Sequence, residues 1–86
     1  MTVCDMTYEV RKFLKLGDDA PGVVVAKVKS GDVADVAGIR PLEIVVDVNG
    51  EGVTSAKDFL SKTKDKKELT FTVRRLNATR IVPIRR

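Results

Sequence analysis

The chain has 86 residues, 43% hydrophobic and 33% charged with a net charge of +4, enough for one small domain with a modest core. It has no histidine, which excludes a Ser-His-Asp triad, a Cys-His pair and an HExxH zinc site within this chain, and its single cysteine excludes an internal disulfide and cysteine-rich metal sites. No apolar run approaches the roughly 18 residues of a membrane span, and the N-terminus lacks the charged region and apolar block of a secretory signal.

Residues 2–6, TVCDM, alternate loosely and predict a short strand. Thr7 is a suitable N-cap, and Val10, Phe13 and Leu14 at i, i+3, i+4 predict a short amphipathic helix closed at Leu16-Gly17. GDDAPG is a loop of turn formers. VVVAKV, residues 23–28, is a β-branched strand, and KSGD turns the chain. Asp32 caps one or two helical turns through VADVA, stopped by Gly38, and Pro41 blocks further helix. EIVVDV, residues 43–48, is a second strand, ended by the hairpin dipeptide Asn49-Gly50. Thr54 or Ser55 caps a helix through Lys64, with Ala56, Phe59, Leu60 and Thr63 on one side. KDKKE is a charged connection and LTFTV, residues 69–73, alternates as a half-buried strand. NAT makes a hairpin and RIVPI returns, with Pro83 placing this last strand at an edge or at the end of the sheet. The order is β-α-β-α-β-turn-α-β-β, and the fold class is α+β, mostly β: a partly open barrel or sandwich capped by helices.

Charge is uneven. Residues 1–56 carry six Lys/Arg against nine Asp/Glu, and residues 57–86 carry ten against three. The basic residues of the last third alternate with strand-like apolar ones, so they read first as a solvated face and second as a nucleic-acid contact. Four aromatics and no tryptophan supply stacking platforms poorly. NGEG lacks a third glycine and a strand–glycine–helix setting, so it is a turn rather than a dinucleotide loop. SKTK matches a Ser-x-x-Lys spacing without its companion motifs. Asn77-Ala78-Thr79 is a glycosylation sequon better explained as a turn. Asp18, Asp19, Asp32 and Asp35 lack calcium-loop spacing and read as capping or solvated residues. Cys4 reads as a small buried hydrophobe.

GVVVAKVKSGDVADVAGIRPLEIVVDVNGEGVTSAKDF resembles a bacterial PDZ domain. The resemblance is carried by Gly22 opening a strand, Gly31 in a turn, Ala34, Ala37-Gly38-Ile39, the apolar strand and Val48-Asn49-Gly50. A helix with Asp58-Phe59-Leu60 and a strand ending in Val73-Arg74-Arg75 extend it. Upstream, TYEVRKFLKLGDDAPGVVV is similar to the helix–leucine–loop–strand entry of PDZ domains in HtrA/Deg serine proteases. The resemblance implies five to six short strands capped by two or three helices. Small residues at Ala34, Ala37 and Gly38 then let the short helix lie close to the sheet.

It also implies β-augmentation, in which a peptide adds as a strand beside a long helix. The receiving strand would be Met1, Thr2, Val3, Cys4, Asp5 and Met6, and the helix Ser55 to Lys64. Within them Ser55 is a binding candidate, and Val3, Phe59, Leu60 and Thr63 are pocket candidates. The expected domain is a single PDZ module, residues 1–86, not catalytic itself. It would be a fragment of an extracytoplasmic or periplasmic trypsin-like protease whose substrate recruitment or activity it regulates. Its partners would be peptides or unfolded protein C-termini and the protease domain of the same chain, with no cofactor, metal or membrane; a nucleic-acid-binding role for the basic last third ranks behind these. An assembly module, its groove filled in cis or by a neighbouring subunit, is the alternative. Two departures from the family stand out. The carboxylate-binding loop should precede the receiving strand, where this chain starts, so it is expected to be truncated. Leu42-Glu43 also replaces the usual Gly-Asp, keeping the charge and losing a flexible turn that the rigid Pro41 offsets.

Overall fold

A computed structural model describes residues 1–15, 22–75 and 78–85. The elements are β1 (Thr2–Cys4), α1 (Tyr8–Phe13), β2 (Val23–Lys27), α2 (Val33–Val36), β3 (Ile44–Val48), β4 (Glu51–Gly52), α3 (Ala56–Thr63), β5 (Glu68–Arg75) and β6 (Ala78–Arg85). The expected order holds, with the turn after β3 extended into the two-residue β4. Leu16-Gly17, most of the GDDAPG loop, the Asp18-Asp19 pair and Asn77 lie outside the described residues.

Side-chain caps start the helices where the sequence placed them. Thr7 Oγ1 accepts from the Val10 N–H (3.2 Å), Asp32 Oδ1 from the Val33 N–H (2.9 Å) and Ser55 Oγ from the Asp58 N–H (3.0 Å). Asn49 and Gly50 both take positive φ, 52° and 82°, which closes a two-residue hairpin between Val48 and Glu51. Asn49 also joins β5, donating its N–H to Thr70 O and accepting the Thr70 N–H on Oδ1, both at 2.7 Å.

The strands form one open antiparallel sheet in the order β1-β2-β3-β5-β6, with β4 hairpinned onto β3. Strand alternation sends Leu69, Phe71 and Val73 of β5, and Val82 and Ile84 of β6, to one buried face. Val23, Val25, Val45, Val48 and Ile39 complete that core, and α3 covers it with Phe59, whose ring lies 5.6 Å from Phe71. The paired Val24 and Ile44 are buried outside that cluster. Burial on both faces explains why β2 reads as a continuous β-branched run rather than an alternation.

Several expectations change. No residue of α1 is buried, and Phe13 is 72% exposed, with Val10 and Leu14 only half-buried. The 3–4 spacing was real, but among the described residues no element packs closely enough on α1 to use all of it. Cys4 is exposed, because Val3 is the β1 residue that turns toward the core. Ala78 and Thr79 belong to β6 rather than to a turn. Ala34 is buried and Ala37 packs against the core, as close approach of α2 requires. Gly38 serves differently: nothing lies within 4 Å of a Cβ built there, and its φ of +93° is what excludes other residues.

Leu42, where a flexible glycine turn was expected to be lost, itself takes positive φ, +72°. That conformation costs a non-glycine residue about 1–2 kcal/mol. Its side chain is 54% exposed and recovers little by burial. Leu42→Gly should therefore stabilise the domain by about 0.5–1 kcal/mol in urea unfolding, after the greater freedom of glycine in the unfolded chain is subtracted. Unchanged or reduced stability would count against strain at Leu42.

Candidate functional site

β1 is one end of the sheet, so among the described residues one side of its backbone has no strand partner. α3 lies beside it. Asp5, just past β1, accepts the Ala56 N–H on Oδ1 (2.6 Å), which fixes this end of the strand at the first residue of the helix. A carboxylate is favourable there because the first-turn N–H groups and the helix dipole both attract negative charge. Met1, at the other end of β1, lines a cleft with Phe59, Leu60 and Thr63. Strand and helix therefore run side by side over the length of β1.

The cleft holds about 230 Å³ and its exposed lining is more apolar than polar. Phe59 and Thr63 form its buried helical wall, and Thr63 Oγ1 donates to Phe59 O (2.9 Å), so its hydroxyl is satisfied. Leu60 stands on the rim, 64% exposed. An apolar side chain held there gains area only when something covers it. A second depression beside Met1 is lined by Thr2, Lys27, Val28, Lys29 and Asp32.

Of the residues expected from the sequence, Met1, Phe59, Leu60 and Thr63 meet in the cleft. Thr2, Val3 and Cys4 form the edge strand, with Val3 half-buried against the core rather than in the cleft lining. Met6 is half-buried beyond the strand. Ser55 and Asp5 are engaged at the helix start, as N-cap and as acceptor for Ala56. The sequence reading missed the floor, Leu69, Phe71 and Ile84, and the contribution of α2 through Asp32, Val33 and Ala34. The floor residues carried a signal, since they are the inward positions of two alternating strands, but alternation does not say which part of a core borders an opening. No local signal places α2 at the cleft.

Two charged contacts brace the walls. The Met1 amino group donates to Asp32 Oδ2 (3.1 Å), and with the Val33 N–H it holds the Asp32 carboxyl below the usual carboxylate range. Lys62 Nζ lies 2.8 and 2.7 Å from the two oxygens of Asp58, one turn earlier. That bond first, and the Thr54 N–H second, lower the Asp58 carboxyl in the same way and secure the first turns of α3. Among the described residues no cluster of His, Cys, Asp and Glu could hold a metal ion, and no helix is long and apolar enough to cross a membrane.

No protein-family model matches the chain. The chain is 33% identical over 67 residues to "Serine protease HTR4" of Bos taurus, which spans 78% of this chain and 14% of that protein. It is 35% identical over 65 residues to "Probable periplasmic serine endoprotease DegP-like" of Pseudomonas putida (strain W619), spanning 76% of this chain and 13% of that protein. The chain thus spans about one seventh of the length of these curated relatives. Among solved structures, the HtrA3 PDZ domain bound to a phage-derived ligand (FGRWV) superposes with a TM-score of 0.86 at 20% identity, covering 99% of this chain and 79% of that one. The HtrA-type protease AlgW with a decapeptide gives a TM-score of 0.80 at 20% identity, covering 98% of this chain and 26% of that one. With its open sheet, its β1–α3 cleft and these matches, the chain is a PDZ domain resembling those of HtrA/Deg-type serine proteases.

Proposed function

We infer that the domain binds extended peptides, and hydrophobic C-terminal tails in particular, as a strand added to β1. The observation that carries this reading is the unpaired edge of β1 lying beside an apolar cleft whose rim, Leu60, is left uncovered. Backbone groups of Thr2–Cys4 would hold the peptide main chain, and the cleft would take an apolar side chain. Lys27 and Lys29, in the depression beside Met1, add positive charge at the end of the strand where a terminal carboxylate would lie. Two of the similar structures are described with peptide ligands, which supports the same reading. The domain would be one module of a longer, extracytoplasmic, trypsin-like serine protease, recruiting substrate to it or regulating it, without a catalytic role of its own.

The test is a titration with short peptides ending in Val, Leu or Phe, followed by amide chemical shifts. Binding should move the Thr2–Cys4 amides, and Leu60→Asp should weaken it at least about tenfold by placing a charge where apolar contact is needed. Absence of binding at high micromolar peptide, or shifts confined to other elements, would sink the reading.

A further inference from the structure

The sheet has two ends, β1 and β6, and each leaves one edge of backbone groups without a strand partner. Among the described residues neither makes other backbone hydrogen bonds along that edge. Length alone favours the wrong one. β1 offers three residues, and its pairing with β2 is broken by a register shift. β6 offers eight, in unbroken register with β5 from Ala78 to Arg85. A long, regular edge is the better template for an incoming strand, and proteins usually blunt it with lysines, bulges, shortness or proline.

β6 has no lysine, no bulge and no shortness. Its charges are engaged: Arg80 donates to Glu43 and to Gly38 O, and Arg85 lies 3.6 Å from Glu68. Ile81 is 67% exposed beside them. α2 packs on part of β6, and within the strand itself the remaining device is Pro83, which pairs with Thr70 in the middle of the ladder. Directly opposed residues of an antiparallel pair exchange two hydrogen bonds or none. Proline has no N–H, so Thr70 and Pro83 form a non-bonded pair and the Pro83 nitrogen faces the open edge. Thr79, Ile81 and Arg85 share that outward phase. The ring thus sits where the edge would otherwise present a donor between those of Ile81 and Arg85.

We propose that Pro83 closes the β6 edge to strand addition and so confines an incoming strand to β1. The choice of β1 rests on the peptide-binding reading above; the closure of β6 does not. Pro83→Thr and Pro83→Ala restore the missing donor on an exposed position and leave the core face of β6 unchanged. The partner that then fits is a second copy of the same edge. Sedimentation equilibrium should show the parent domain as a monomer. Either variant should move toward roughly twice that mass at high micromolar concentration, with the Ile81 amide newly protected from exchange. Two folded variants that stay monomeric at the same concentrations overturn the proposal. Peptide titration of the parent is read separately: its failure removes the β1 reading and leaves the mass of the variants to decide the role of Pro83.

Discussion

Gly22→Ala should destabilise the domain by about 3–4 kcal/mol, a large part of the 5–15 kcal/mol that holds a typical small domain folded. Gly22 precedes β2 with φ +107°, a region that side chains rarely enter. A Cβ built there lies 2.5 Å from the Val45 carbonyl oxygen and 2.9 Å from Ile44 Cγ2. The first contact is with backbone, so no rotamer change relieves it. The chain must open the β2–β3 ladder, which pairs Val23 with Val45 and Val24 with Ile44 and continues in the Val25 N–H to Glu43 O and Leu42 N–H to Val25 O bonds. Those pairs also hold β1 to the rest of the sheet, because β1 touches it through β2. The variant should therefore lose urea stability and disturb the Thr2–Cys4 amides together. A loss below about 1 kcal/mol would show that the backbone at Gly22 can move away from Val45 at little cost.

Arg80→Met should cost about 2 kcal/mol, through a carboxylate rather than through packing. Glu43 is fully buried just before β3. Its Oε1 accepts from the Arg40 N–H (2.6 Å) and from Arg80 Nη2 (2.9 Å), while Oε2 is buried without a protein partner among the described residues. Arg80 spans from β6 to this carboxylate and to Gly38 O (2.7 Å). Removing one partner of a buried pair typically costs about 3–5 kcal/mol, but the Arg80 side chain is 44% exposed. Water can enter the vacated space, which places the expected loss at the lower figure. Adding Glu43→Gln should recover about half or more of it, since a neutral amide still accepts from Arg40 and needs no cation. A double-mutant cycle in urea measures this directly. Equal losses with and without Glu43→Gln would mean that Arg80 acts through its methylenes instead.

Glu43 and Arg80 also show where reading the sequence stopped. The substitution of Glu for the family's Asp was visible as a retained charge. That the charge is buried, and that its partner lies 37 residues away on the last strand, was not. Leu60 and Phe13 make the same point for helices. Both sit at apolar spacing, yet one is a rim residue and the other faces out, because spacing defines a stripe and not what lies against it.

What the sequence determined by itself was local. Thr7, Asp32 and Ser55 cap helices by reaching N–H groups one to three residues away. Asn49-Gly50 makes its turn because both residues tolerate positive φ, and Pro83 marks an edge because it has no donor. Each rests on the geometry of a few consecutive residues, so the residue types alone suffice. The tertiary structure decided that β1 became the other end of the sheet, that Asp5 would anchor α3, and that Leu69, Phe71 and Ile84 would floor the cleft. Those outcomes depend on contacts between segments tens of residues apart. Hydrophobic burial drives such contacts without direction, and the mutual fit of the folded elements selects among them.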